Sequence, residues 1–269
     1  MERSGLYTAV AVNGFRRYAT YRIATAAGVF TNTVFGFILA YTFIALWSER
    51  PRLGGYDQAE ALAFVWIGQA LIGAMSLLGG GFQEELQERI RSGDVAIDLY
   101  RPVDLQLWWL ASDLGRGAFQ LLARGAVPMA AGTLAFELAL PVSPLSWALF
   151  LVAVGLGVVV SFAIRYLVAL TAFWLLDGTG MSMISTLAAI FFSGMLLPLT
   201  VFPGAFGDVV RWLPWAAILQ VPADVLLGQY QGAGVLGAFV FQACWAVVLL
   251  LAGRAVQAVA THRVVVQGG

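Results

Sequence analysis

The side chains that could do chemistry fall in a few places. Residues 83–94 read Gln83-Glu84-Glu85-Leu86-Gln87-Glu88-Arg89-Ile90-Arg91-Ser92-Gly93-Asp94, dense in charge of both signs. Farther on, Asp113, Arg116, Gln120 and Arg124 recur at intervals of three and four, the spacing of one helical face. Arg165 stands within a long apolar run. None of these patterns makes an enzyme centre. A Ser–His–Asp arrangement needs a positioned base, and the one histidine, His262, sits close to the C-terminus. Asp177-Gly178-Thr179-Gly180 lacks the lysine that a phosphorylated-aspartate motif requires, and the chain has no room for the soluble domain such chemistry needs. No GxxxxGK[ST] loop occurs, so ATP is not bound by that route. The single cysteine, Cys244, excludes an intramolecular disulfide and a CxxC metal site. A formal net charge of +0 offers no basic field to nucleic acid. The expectation is therefore no catalytic residue, no metal and no nucleic-acid partner.

The elements that hold these residues must be membrane helices. The 269 residues are 60% hydrophobic and 11% charged, with mean hydropathy +0.83, against about 45–50% and about 25% for soluble domains. A chain this short cannot bury that excess in one water-soluble core. Crossing about 30 Å of hydrocarbon takes about 20 residues of helix. Six stretches qualify: about Ala26–Trp47, Ala61–Gly80, Gly117–Leu138, Leu145–Leu176, Met181–Leu199 and Val235–Ala252. All 15 basic residues are arginine, and only Arg50, Arg52 and Arg211 fall on one side of such a six-span layout. By the positive-inside rule both termini are cytoplasmic. No compact apolar core with a small-residue cleavage site marks a signal peptide. Glycines such as Gly79-Gly80-Gly81 and Gly155-Leu156-Gly157 read as packing residues of apolar helices. Arg165 keeps two readings: it lines a substrate route or pairs across a subunit interface, or a tilted helix lets it snorkel to the inner headgroups.

Three non-spanning pieces complete the fold expectation. Residues 5–22 place Tyr7, Val10, Gly14, Tyr18 and Tyr21 on one face, which suits a helix lying in the inner interface; the alternative is a longer first span. In the cytoplasmic region 82–104, Phe82, Leu86 and Ile90 repeat every four residues opposite the charged face, and Gly93 fits the left-handed stop of a short helix. Residues 200–231 are too apolar for a solvated loop and too rich in proline for one span. A pair of short re-entrant helices in the outer half of the membrane accounts for them, with a long outer loop as the alternative. The whole chain, 1–269, is one all-α transmembrane domain.

Two stretches carry a family likeness. Ile90-Arg91-Ser92-Gly93-Asp94 followed by Leu99-Tyr100-Arg101-Pro102 is the first. The second is Ser193-Gly194-Met195-Leu196-Leu197-Pro198-Leu199 with Phe202-Pro203 and Leu213-Pro214, preceded by Ala172-Phe173-Trp174. With the six-span layout they resemble the membrane subunit of bacterial ABC exporters of the second type, the group that includes daunorubicin-type and viologen-type efflux permeases. The resemblance implies a permease in the bacterial inner membrane that binds no cofactor itself. A separate ATPase subunit would hold ATP and magnesium, and a second permease chain, identical or distinct, would complete the pathway. It also implies that Gln83, Glu84, Glu85, Glu88, Arg89, Arg91, Gly93, Arg101 and Pro102 form the ATPase-coupling region. A dimer interface lined by spans one, two and five would then be the route for cargo.

On those spans Asn32, Gln69 and Ser193 are nearly the only deep hydrogen-bonding side chains, set among Phe30, Phe35, Phe37, Phe64, Trp66, Phe191 and Phe192. Asn32, Phe35, Gln69, Ser193 and Gly194 are the candidate pathway residues. Such a lining favours apolar or amphipathic cargo, because a hydrated ion or sugar would lose water contacts without replacement. The alternative is an ion-gradient-driven secondary transporter or channel. That class carries ionisable sites in mid-membrane and often internal repeats, whereas this chain shows no repeat and offers only Arg165.

Overall fold

In the computed structural model, which describes residues 2–175 and 178–261, the chain folds as helices joined by short turns, with no strand among the described residues. Asp177, Leu176 and His262 lie outside them. The first helices are α1 (Glu2–Ala19), α2 (Arg22–Glu49) and α3 (Gln58–Met75). After them come α4 (Phe82–Ser92), α5 (Val95–Tyr100), α6 (Leu105–Gln120) and α7 (Ala126–Ala135). The chain continues with α8 (Pro144–Leu170), α9 (Thr179–Phe192), α10 (Gly204–Trp212), α11 (Gln220–Leu226) and α12 (Ala233–Thr261). By length and composition α2, α3, the helix from Pro144 to Phe173 and α12 can each cross a membrane. The expected third span is one helical rod from α6 to α7, interrupted by a π-helical turn at Leu121–Gly125. The expected fifth span is only the 14-residue α9, which stops at Phe192 rather than Leu199, because Gly194 turns to φ +93°.

Local chemistry sets the helix ends. Asp57 and Glu60 form a reciprocal capping box at the start of α3. Asp104 accepts from the Leu107 amide at the start of α6, and Pro144 sits at the first position of α8. At the other end of α3 the sequence reading needs correction. The helix stops at Met75, not Gly80, because Ser76 is left-handed at φ 48°. Gly79, Gly80 and Gly81 then all take φ near +80°, a conformation that side chains resist. They form the linker to α4 rather than a helix-packing surface. Gly157 does pack closely: a Cβ there would meet the Ala217 and Ile218 carbonyls at 3.1 Å.

The core lies around α3, the most enclosed of the long helices, packed by α2, α8 and α11. The Trp66 indole is fully buried between α2 and α7, where only glycine fits: a Cβ on Gly36 or Gly132 would fall 2.5 or 2.4 Å from the ring. The amphipathic stripe of α1 also packs on protein. Val10, Gly14 and Tyr18 turn inward while Tyr21 stays exposed. The α1–α6 crossing is close enough that a Cβ on Gly115 would strike the Ala11 carbonyl oxygen at 1.8 Å. The break at Thr20–Tyr21 makes α1 a helix separate from α2 rather than an extension of the first span.

Candidate functional site

α4 folds as its sequence pattern requires. Phe82, Leu86 and Ile90 point into a cluster with Val95, Trp109, Phe162 and Tyr166, and Gly93 ends the helix at φ +85°. Glu84, Glu88 and Arg91 remain exposed. Of the other residues assigned to this region, Gln83, Glu85, Arg89 and Arg101 are engaged within the chain. Gln83 is buried, and its side-chain amide donates to Ser182 Oγ of α9 at 2.8 Å, so it faces α9 and not solvent. Glu85 pairs with Arg17 of α1 at 2.8 Å. Arg89 forks onto both Asp98 oxygens at 2.5 and 2.9 Å, which raises its pKa. Arg101 reaches the same carboxylate at 3.5 Å, and Arg91 pairs with Glu88. Pro102 and Gly93 lie at the exposed ends of this short helical pair.

A buried charge cluster stands directly behind α4. Asp113 of α6 accepts from Arg116 Nε at 2.6 Å through one oxygen and from Arg165 Nη2 at 2.5 Å through the other. Arg116 also donates to the carbonyls of Gly73 and Ala74 at 2.7 and 2.9 Å. Ser161 of α8 donates to the Met75 carbonyl at 2.5 Å and accepts from Arg165 Nε at 3.2 Å. Three carbonyls at the end of α3 are thus capped by α6 and α8, and that of Gly73 also accepts from the Ser76 amide at 3.2 Å. The two guanidiniums exceed the one carboxylate by a positive charge. The negative end of the α3 dipole and the Phe82 ring, 4.9 Å from Arg165 Cζ, offset the excess.

This cluster changes the account of Arg165. It is 5% exposed, so it does not snorkel to headgroups, and its carboxylate partner belongs to the same chain rather than to another subunit. Arg165 lies 21 residues into α8, about 32 Å from the helix start at 1.5 Å per residue, about the thickness of a bilayer's hydrocarbon. The shared face of Asp113, Arg116 and Gln120 was visible in the sequence; the pairing across 52 positions was not. Counting both residues to the same membrane depth was the one available signal.

The candidate pathway residues are divided. Asn32 is buried and donates to the Gln69 backbone carbonyl at 3.1 Å, binding α2 to α3. Gln69, Ser193, Phe64 and Trp66 are likewise buried inside the chain, so they do not line its outer surface. Phe35 is exposed, together with Phe30, Ile38 and Tyr41 of α2. Gly194 meets Gln220, not the Asn32–Gln69 pair. On α9 Met183, Ile184, Leu187 and Phe191 are exposed and no residue is fully buried.

Sequence reasoning missed a second buried polar cluster on the opposite side of the molecule. Tyr56 donates to the Asp224 carboxylate, and Gln220 Nε2 reaches both Asp224 oxygens at 3.0 Å and the Tyr56 hydroxyl at 2.8 Å. Gln220 Oε1 accepts from the Leu199 amide, and its own amide donates to the Ser193 carbonyl at 2.9 Å. Burial pushes Asp224 up to about 6 against the opposing effect of its hydrogen bonds, and pushes Tyr56 up as well. The signal was a lone acid in the apolar stretch 213–227. Among the described residues no three His, Cys, Asp or Glu side chains gather as a metal site.

The family model described as ABC-2 family transporter protein matches residues 29–268. No curated protein matches the chain.

Proposed function

Because the chain belongs to the ABC-2 transporter family, it is the membrane permease component of an ABC transporter that works with an ATPase subunit, and we propose that it serves an ATP-driven exporter of apolar or amphipathic molecules. The observation that carries this reading is the placement of α4. Its charged face is open to a partner, while its apolar face and first residue rest on the cluster that caps α3. A push on α4 from an ATPase would pass through Phe82 to Arg165 and Asp113, and so to the end of a spanning helix. ATP and magnesium would remain on that partner.

The same reading gives six crossings with both termini in the cytoplasm of a bacterial inner membrane. The fifth would consist of α9, about 21 Å long, continued by the non-helical stretch 193–198. Irregular backbone is tolerated at membrane depth where protein satisfies it, and Gln220 does so at Ser193 and Leu199. α10 and α11, joined by the 3₁₀ turn Pro214–Ala217, would be the re-entrant pair, α11 being wholly buried. The exposed apolar faces of α2 and α9 would meet a second permease chain, identical or homologous. Cargo would then pass along aromatic and aliphatic residues such as Phe35 rather than Asn32, Gln69 or Ser193.

The test reverses Glu84, Glu88 and Arg91 together, since single exposed ion pairs contribute only about 0–1 kcal/mol. The triple variant is expected to insert normally, to lose co-purification of the ATPase, and to lose cargo-stimulated ATP hydrolysis. Unchanged co-purification and unchanged stimulation would refute the docking role of α4.

A further inference from the structure

Arg124 is the arginine at membrane depth that the charge cluster leaves out. It sits in the π-helical turn between α6 and α7, and among the described residues it has no hydrogen bond or ion pair, its Nε being buried without a partner. Its guanidinium lies against α2 at Gly28, where a Cβ would fall 2.1 Å from Nη2. Gly28 is 20 residues before Ser48 at the far end of α2, about 30 Å at 1.5 Å per residue. The charge therefore lies near one hydrocarbon edge, the cytoplasmic one in the orientation proposed above.

Two spaces flank this position. One is a cavity of about 180 Å³ whose lining includes Arg124, Arg116, Tyr18, Ser76 and Gln120 and no carboxylate, several times the roughly 30 Å³ share of one water. Gln120 is itself 8% exposed and its Oε1 has no partner. The other is a groove of about 630 Å³ between α2 and the α6–α7 rod, walled by Val29, Phe30, Phe119 and Ala123, with Arg22 as its one charged residue. Ala123 lines the groove and its neighbour Arg124 lines the cavity.

We propose that these two spaces form one site for an anionic amphipath, with a phosphate or carboxylate headgroup held by Arg124 in the cavity and an acyl chain in the groove. A guanidinium at the hydrocarbon edge with no partner among the described residues is placed where anionic headgroups lie, and a bidentate oxyanion fits its fork. The groove volume falls in the range of pockets that enclose a drug-sized apolar ligand. The proposal rests on the transport reading only for which leaflet supplies the ligand, and its test needs no ATPase, so the two fail separately.

The purified full chain is equilibrated with equal amounts of phosphatidylglycerol and phosphatidylcholine of matched chains, and the lipid retained is counted by native mass spectrometry. Phosphatidylglycerol is expected to be retained about tenfold in preference, the effect of one hydrogen-bonded charge pair. Arg124→Gln should abolish the preference and Arg124→Lys restore part of it. Arg16→Gln, which removes an exposed charge of α1 outside both spaces, should leave it intact. Val29→Trp, which keeps Arg124 and fills the groove, should weaken retention of both lipids. Short-chain phosphatidic acid should displace bound phosphatidylglycerol at concentrations where inorganic phosphate does not. An equal preference in Arg124→Gln, an equal loss in Arg16→Gln, or equal displacement by inorganic phosphate would overturn the site.

Discussion

Replacing Asp113 with asparagine removes the single carboxylate between two buried guanidiniums. The side chain is 1% exposed, and Arg116 and Arg165 are 4% and 5% exposed, so solvent cannot take its place. Losing one member of a buried pair costs about 3–5 kcal/mol, because the other charge is stranded. The two arginines are not stranded equally. Arg116 keeps the Gly73 and Ala74 carbonyls, whereas Arg165 keeps only Ser161 and the Phe82 ring. Most of the loss therefore falls on Arg165, and Asp113→Asn should lower the melting temperature of the purified permease by on the order of 10 °C. Adding Arg165→Met should recover a large part of it, with a coupling of about 1–3 kcal/mol in the double-mutant cycle. Tryptophan fluorescence reports the unfolding directly. A melting temperature for Asp113→Asn within about 2 °C of the parent, or strictly additive single and double variants, would refute the account of this cluster.

Gly132→Ala should destabilise the protein by about 1–3 kcal/mol by driving a methyl group into the rigid Trp66 ring, measured by thermal unfolding; an unchanged melting curve would show that α7 can shift away. Asp224 holds its proton more tightly when folded than when unfolded, so its contribution to stability is present in the acid range and is lost as pH rises through about 6. Melting temperatures of the parent between pH 4.5 and pH 7 should carry that decline and those of Asp224→Asn should not, and identical slopes would exclude Asp224 as its source. A reporter active only in the cytoplasm should work after Gly269 or within 93–102 and be silent at Gly54-Gly55, activity at Gly54 being incompatible with six crossings.

Features that depend on residues near one another in the chain were legible without a fold. The four-residue repeat of Phe82, Leu86 and Ile90, the stop at Gly93 and the face shared by Asp113, Arg116 and Gln120 all follow from helical periodicity, and each is where the periodicity put it. The membrane character followed from how much apolar surface so short a chain must hide. Helix ends within apolar sequence were harder, because hydropathy does not register a change of φ: α3 stops at Ser76 and α9 at Phe192 while the residues beyond them stay apolar or small. What only the tertiary structure decided was which polar groups meet. Asn32 and Gln69 looked available to cargo because they are polar and deep, yet packing of α2 on α3 buries both and engages the Asn32 amide with the Gln69 backbone carbonyl. Arg165 looked unpaired because its partner is 52 residues away on another helix, and Asp224 became significant only when Tyr56 and Gln220 closed around it. In a low-dielectric interior an unpartnered buried polar group is costly, so most are paired, but sequence spacing within one helix does not reveal a partner carried by another.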